Sequence, residues 1–133
     1  MTRLANIILA ILAINTGWFV AYSAALGFRG LTDAAPETLS RVFVDGRAFA
    51  NAALAVHMVA GAAITLGAPL QAMPLLRRRW PSLHRRAGYA LLALAAATGA
   101  GGLAYIAAQG TIGGAWMSLW FAIYGVALVW SAA

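Results

Sequence analysis

The sequence predicts an all-α, polytopic membrane protein, an antiparallel up-down bundle of four transmembrane helices forming one domain over residues 1–133. Three observations predict it. Hydrophobic residues make up 63% of the chain and charged residues only 9%, against about 45–50% and about 25% in soluble globular domains. A soluble core of this length could not hide so much apolar surface, because small folds leave much of their area in water. The apolar residues gather in four runs, each near the roughly 20 residues that a helix needs to cross hydrocarbon. The basic residues, 9 against 3 acids, are segregated between those runs. Nothing in the runs alternates at a period of two, so a spanning barrel is excluded.

The first run covers residues 4–27 and exceeds the roughly 7–15 residue apolar core of a signal peptide, so it is predicted as a retained span. The loop after it holds Arg29, Arg41 and Arg47 together with Asp33, Glu37 and Asp45, which are all 3 acids of the chain. Its charges balance, and it is predicted to lie outside. Pro36 can start a short helix there, and Leu39, Val42 and Phe43 share one face, so residues 36–44 are expected to lie along the outer surface.

The second run is read over 48–73, the third over 87–108 and the fourth over 115–133. Between the second and third stand Arg77, Arg78, Arg79, Arg85 and Arg86 with no acid among them. By the positive-inside rule this belt and Arg3 belong in the cytoplasm, which puts both termini there. The formal charge of +6 is therefore a topology signal and not a nucleic-acid signal. The five arginines are expected to hold anionic headgroups, at about 1 kcal/mol per basic residue. Trp80 and Trp130 fall near the inner boundary and Trp116 near the outer one, where an indole keeps its ring in lipid and its N–H wet.

Lipid tails do not drive helices together, so small residues should mark the contact faces. Ala90, Ala93, Ala97, Gly101 and Ala104 form such a stripe on the third run; Ala50, Ala53, Gly61 and Ala68 form one on the second, with His57 and Ile64 on the same face. His57 is thus predicted to point into the bundle, about 14 Å below the outer end of its span. Asn15, about 18 Å above the inner end of the first span, comes out at nearly the same depth. An Asn15–His57 hydrogen bond, worth about 0.6 kcal/mol, is expected from that match.

A histidine at mid-membrane is a functional candidate by default, because polar groups there usually line a pathway or hold a ligand. A structural histidine satisfied by one hydrogen bond is the alternative for His57. His84, just after Pro81 at the inner boundary, reads either as a haem ligand or proton relay, or as a polar residue that holds the inter-helix turn. The two are candidate cofactor ligands but not partners on one haem b, since roughly 20 Å along the membrane normal separates them and axial ligands must meet at one iron. A b-type haem would need a further ligand from another chain, in a homo-oligomer or a larger membrane complex. No histidine pair has metal-ligand spacing, all acids are in the outer loop, and the 0 cysteines remove thiolate sites and disulfides. Gly99, Gly101 and Gly102 lie inside the third run and are read as packing positions. A proton or solute pathway along Asn15, His57 and Thr65 is a further reading, although the intramembrane acid or broken helix of coupled transport is missing.

The join between the second and third runs reads His57, Gly61, Leu66, Gly67, Pro69, Gln71, Arg77, Arg78, Pro81, His84, Arg85 and Gly88. This order resembles the bacterial membrane proteins grouped as domain of unknown function 2306, with H-x-x-x-G, a G-x-x-Q helix end, arginines, and then P-x-x-H-R-x-x-G. The resemblance implies a bacterial cytoplasmic-membrane location and makes Gln71, His84 and Arg85 a candidate cluster at the inner boundary. Leu91 stands where that family usually carries tyrosine, and the family tends to continue beyond the point where this chain ends at Ala133, so the resemblance implies a short or truncated member. It brings no established activity. The expected role is a small accessory or structural membrane subunit, with a haem- or quinone-linked electron carrier and a small permease as alternatives.

Overall fold

A computed structural model describes the backbone of residues 3–32, 42–44, 46–71 and 74–132, with side chains throughout except at 3–10, 12, 13, 30–32, 70 and 75. Among the described residues all regular structure is helical: α1 (Arg3–Thr32), α2 (Ala48–Gln71), α3 (Pro74–Arg79), α4 (Pro81–Gln109) and α5 (Gly114–Ala132). Three helices are long and apolar enough to cross a membrane, over Ala48–Pro69, Pro81–Gln109 and Gly114–Ala132. Helix α1 runs for 30 residues and contains the first predicted run, but many of its N-terminal side chains, Arg3 included, lie outside the described residues.

Three predicted boundaries move, and the first is the end of α1, which runs past residue 27 to Thr32 and so takes Arg29 into the helix. Helix α4 starts at Pro81, well before the apolar run at 87, because proline at the first helical position has its φ preset and no N–H to satisfy. Hydropathy falls at the arginines, whereas the backbone stays helical through them. Helix α2 ends at Gln71 with Pro69 in its last turns, and residues 72–73 lie outside the described ones. The arginine belt is thereby divided between two helices. Arg77, Arg78 and Arg79 occupy the last turn of α3, where the helix dipole favours cations. Arg85 and Arg86 stand in the first turns of α4, and all five are exposed.

The connector between α1 and α2 is held inward where it is described. Residues 33–41 and 45 lie outside the described ones, so Pro36 and Leu39 cannot be placed. Phe43, however, is turned inward: it is 2% exposed and packs on Ala55, with Leu26, Val42 and Leu54 around it. Asn51 holds this segment by accepting from the Val44 N–H at 3.0 Å and donating to the Val44 carbonyl at 2.8 Å. The Tyr105 hydroxyl donates to the Val42 carbonyl at 3.1 Å, and Arg47 donates to the Ala108 carbonyl at 3.1 Å. These polar anchors draw Phe43 off the surface.

Helix α1 packs on α2, α2 on α4, and α4 on α5, while among the described residues no Cα of α1 comes within 8 Å of one in α5. The four long helices therefore stand in series and leave a cleft between the outer two. At the α2–α4 contact the backbones themselves meet. A Cβ on Gly101 would sit 2.7 Å from the Ala53 carbonyl oxygen and 3.1 Å from the His57 nitrogen. The α4 contact residues follow a seven-residue spacing: His84 beside Gln71, Leu91 beside Gly67, Thr98 beside His57 and Gly61, and Tyr105 beside Val42. That spacing keeps one seam facing a neighbouring helix over several turns. It corrects the predicted alanine stripe, since Ala90 and Ala93 are exposed and Leu91 takes the contact instead. The reason is complementarity: the leucine fills the space over Gly67, which two small residues would leave open.

Candidate intramembrane site around His57

His57 lies on α2, half-buried, where Gly101 and Gly102 bring α4 close. Its Nδ1 is 2.9 Å from the Thr98 carbonyl oxygen. A carbonyl can only accept, so Nδ1 carries the hydrogen, and the neutral ring then has its lone pair at Nε2. A Cβ at position 102 would lie 2.8 Å from Nδ1. Glycine at that position lets the imidazole reach across the helix surface to a carbonyl that also serves the α4 backbone. Nε2 has no hydrogen-bond partner among the described residues, and it is not among the side-chain atoms sealed from solvent.

That ring borders a cavity of about 480 Å³ at the foot of the cleft between α1 and α5. Phe19, Tyr22 and Ser23 line it from α1, Met58 and Thr65 from α2, and Tyr124 from α5. A second cavity, of about 230 Å³, continues between α2, α4 and α5 and shares His57, Thr98 and Tyr124 with the first. The walls are mostly apolar. Thr65 is satisfied within its own helix, donating to the Gly61 carbonyl at 2.9 Å. Thr98 is not: it is only 7% exposed, and its Oγ1 has no hydrogen-bond partner among the described residues.

The expected Asn15–His57 bond is not formed. Asn15 is exposed and donates to the Ile11 carbonyl of its own helix at 2.9 Å. The depth argument counted upward from the inner end of the first run and so set Asn15 at the level of His57. Helix α1 continues to Thr32, and it is Gly27 that meets α2 at Ala55, Met58 and Val59. Asn15 therefore sits about 18 Å along α1 from the level of His57. Thr98, Ser23, Tyr22 and Tyr124 were not singled out from the sequence. The seven-residue spacing through His84, Leu91, Thr98 and Tyr105 is the signal that marks Thr98.

Where α2 ends and α4 begins, Gln71, His84 and Arg85 come together around a shallow hollow that Gly88 and Tyr89 also line. Gln71 donates from Nε2 to the His84 carbonyl at 3.1 Å, so the amide engages the backbone rather than the imidazole. The His84 N–H donates to the Trp80 carbonyl at 2.9 Å and so begins the α4 ladder, while its buried Nδ1 has no partner among the described residues. The Arg79 guanidinium lies 5.6 Å from the centre of the Trp80 ring, within cation–π range. His57 and His84 border separate hollows with no lining residue in common.

No protein-family profile, no curated protein and no solved structure matches this chain.

Proposed function

We propose that the chain is a four-span integral protein of the bacterial cytoplasmic membrane, an antiparallel up-down assembly of helices with both termini in the cytoplasm. In this reading it serves as a small accessory or structural subunit of a homo-oligomer or a larger membrane complex. The observation that carries the reading is the surface of the outer helices. Trp116 is 74% exposed and Trp130 83%, and between them on α5 Trp120, Phe121 and Tyr124 are exposed as well. So much aromatic and aliphatic surface requires lipid or another membrane helix against it.

The order of contacts supports alternating directions: Arg47 near Ala108, His57 near Thr98 and Gln71 near His84 across α2 and α4, and Gly99 near Val129 with Leu103 near Gly125 across α4 and α5. The length of α1 supports a fourth span, and the motif resemblance supports the bacterial location. The five-arginine belt would bind anionic headgroups on the cytoplasmic side.

The chain has 0 cysteines, so single-cysteine variants report topology without background. In spheroplasts, a membrane-impermeant maleimide should label Ile112→Cys, in the turn between α4 and α5. Arg78→Cys and Ser131→Cys should react only after the membrane is opened. Labelling of Arg78→Cys in intact spheroplasts would overturn the orientation, and extraction of the protein by carbonate without detergent would overturn the membrane reading itself.

A further inference from the structure

We propose that the cavity beside His57 binds a neutral aromatic alcohol, a phenol or hydroquinone ring on an apolar body, whose hydroxyl donates to His57 Nε2. Three features of the cavity converge on this class. The first is the imidazole. With Nδ1–H committed to the Thr98 carbonyl, the ring offers the cavity an acceptor of fixed direction. A histidine whose other nitrogen is held by a backbone carbonyl is positioned to receive a ligand at the free one.

The second feature is the Thr98 hydroxyl, more than nine-tenths buried and without a partner. Most serine and threonine hydroxyls inside helices bond to their own backbone, as Thr65 does here. A buried hydroxyl left unpaired is costly, more so at membrane depth. Thr98 lines the same cavity that His57 borders, so a turn about its Cα–Cβ bond is the one movement the proposed ligand asks of it. One ligand hydroxyl then satisfies both residues, because its hydrogen goes to Nε2 and its oxygen accepts from Thr98 Oγ1–H. A ketone or ether oxygen could engage Thr98 only, and would leave Nε2 unpaired.

The third feature is the wall. Phe19 and Tyr22 of α1 and Tyr124 of α5 line the cavity and are all exposed, and such rings favour a flat aromatic guest. The volume of about 480 Å³ lies within the roughly 300–1,000 Å³ of small-molecule sites. Among the described residues no Cα of α1 lies within 8 Å of one in α5, so the cavity opens between these helices, on the side an entrant from lipid would meet. Among the described residues no arginine or other basic group besides His57 lines either cavity. That absence of cations disfavours haem b, whose two propionates would be left at this depth without a counter-charge. The inference takes the depth of the cavity from the four-span reading, but its test measures binding, so its failure would leave that topology standing.

The test is equilibrium dialysis of the purified full chain in lipid nanodiscs against 1-naphthol and against 1-methoxynaphthalene, which keeps the rings and lacks the donor. The expected result is saturable binding of one 1-naphthol per chain and about tenfold weaker binding of the methyl ether, the factor that one lost hydrogen bond supplies. His57→Phe should abolish the preference while leaving the ether unchanged, and Thr98→Val should reduce 1-naphthol binding severalfold. Should His57→Phe fail to fold, the ratio of the two probes on the unaltered chain and the Thr98→Val result still decide. Equal saturable binding of both probes, or uptake proportional to lipid with no saturation, would overturn the proposal. So would a Soret band in the purified protein that is lost in His57→Phe, since haem would then hold the site.

Discussion

The seam between α2 and α4 and the outer helix α5 solve the same problem in opposite ways. Along the seam the backbones touch at Gly101 and are cross-linked by polar bonds at three levels: Arg47 to the Ala108 carbonyl, His57 to Thr98, and Gln71 to His84. In each bond a side chain from the α2 side donates to a carbonyl of α4. Helix α5 has no such ladder. It rests on α4 where Gly99 and Gly125 allow close approach, and its first turn is tied to the preceding loop by Thr111 and Ser118. Among the described residues no side-chain hydrogen bond joins α5 to another helix. In lipid, helices gain little from hiding apolar surface, so close packing and polar bonds set the strength of each contact. The seam is the closely packed part of the molecule, and α5 is the part whose large side chains stay exposed.

Substitutions can break that contrast at graded cost. Gly101→Leu should have the largest effect, because its Cβ would lie 2.7 Å from a backbone oxygen that cannot rotate away. A loss of about 3 kcal/mol, the upper part of the overpacking range, is expected in reversible unfolding from mixed micelles. Gly102→Ala should cost less, about 1 kcal/mol, since its methyl group displaces an imidazole and forfeits one interhelical bond. Trp130→Ala, at a side chain 83% exposed, should change stability by no more than about 0.5 kcal/mol. If α5 is an oligomer face, the same variant should lower the native mass in mild detergent. A Trp130→Ala loss as large as that of Gly101→Leu would erase the distinction between seam and outer helix.

Much of the fold is written in the hydropathy of the chain, because lipid imposes length and composition on anything that crosses it. Helices α2 and α5 were readable on that ground alone, to within a residue or two at their ends. The start of α4 was not: the signal reported where hydrocarbon begins, whereas Pro81 decides where the helix begins. The site was half legible. His57 stood out as a polar residue on an apolar face, and Gly101 and Gly102 as packing positions. Its partner did not stand out, since depth along a helix says nothing about the direction a side chain takes around it. Asn15 was matched by a level counted from the inner end of the first run, and the contact of Gly27 with Ala55 and Val59 undid that match. Thr98 was hidden because a threonine in a helix is ordinarily satisfied locally, and only its seven-residue spacing from Leu91 and Tyr105 reveals the seam.

The arrangement at His57 can be tested without any ligand. In protein labelled with ¹⁵N-histidine and reconstituted in bilayers at neutral pH, solid-state NMR distinguishes a protonated ring nitrogen from a bare one. With Gly102→Ala as the assignment control, His57 is expected to show a protonated Nδ1 and a bare Nε2, and the variant should lose that preference. A bare Nδ1 with a protonated Nε2 in the unaltered chain would mean that the Thr98 carbonyl does not hold the ring, and the cavity would then face a donor instead of an acceptor.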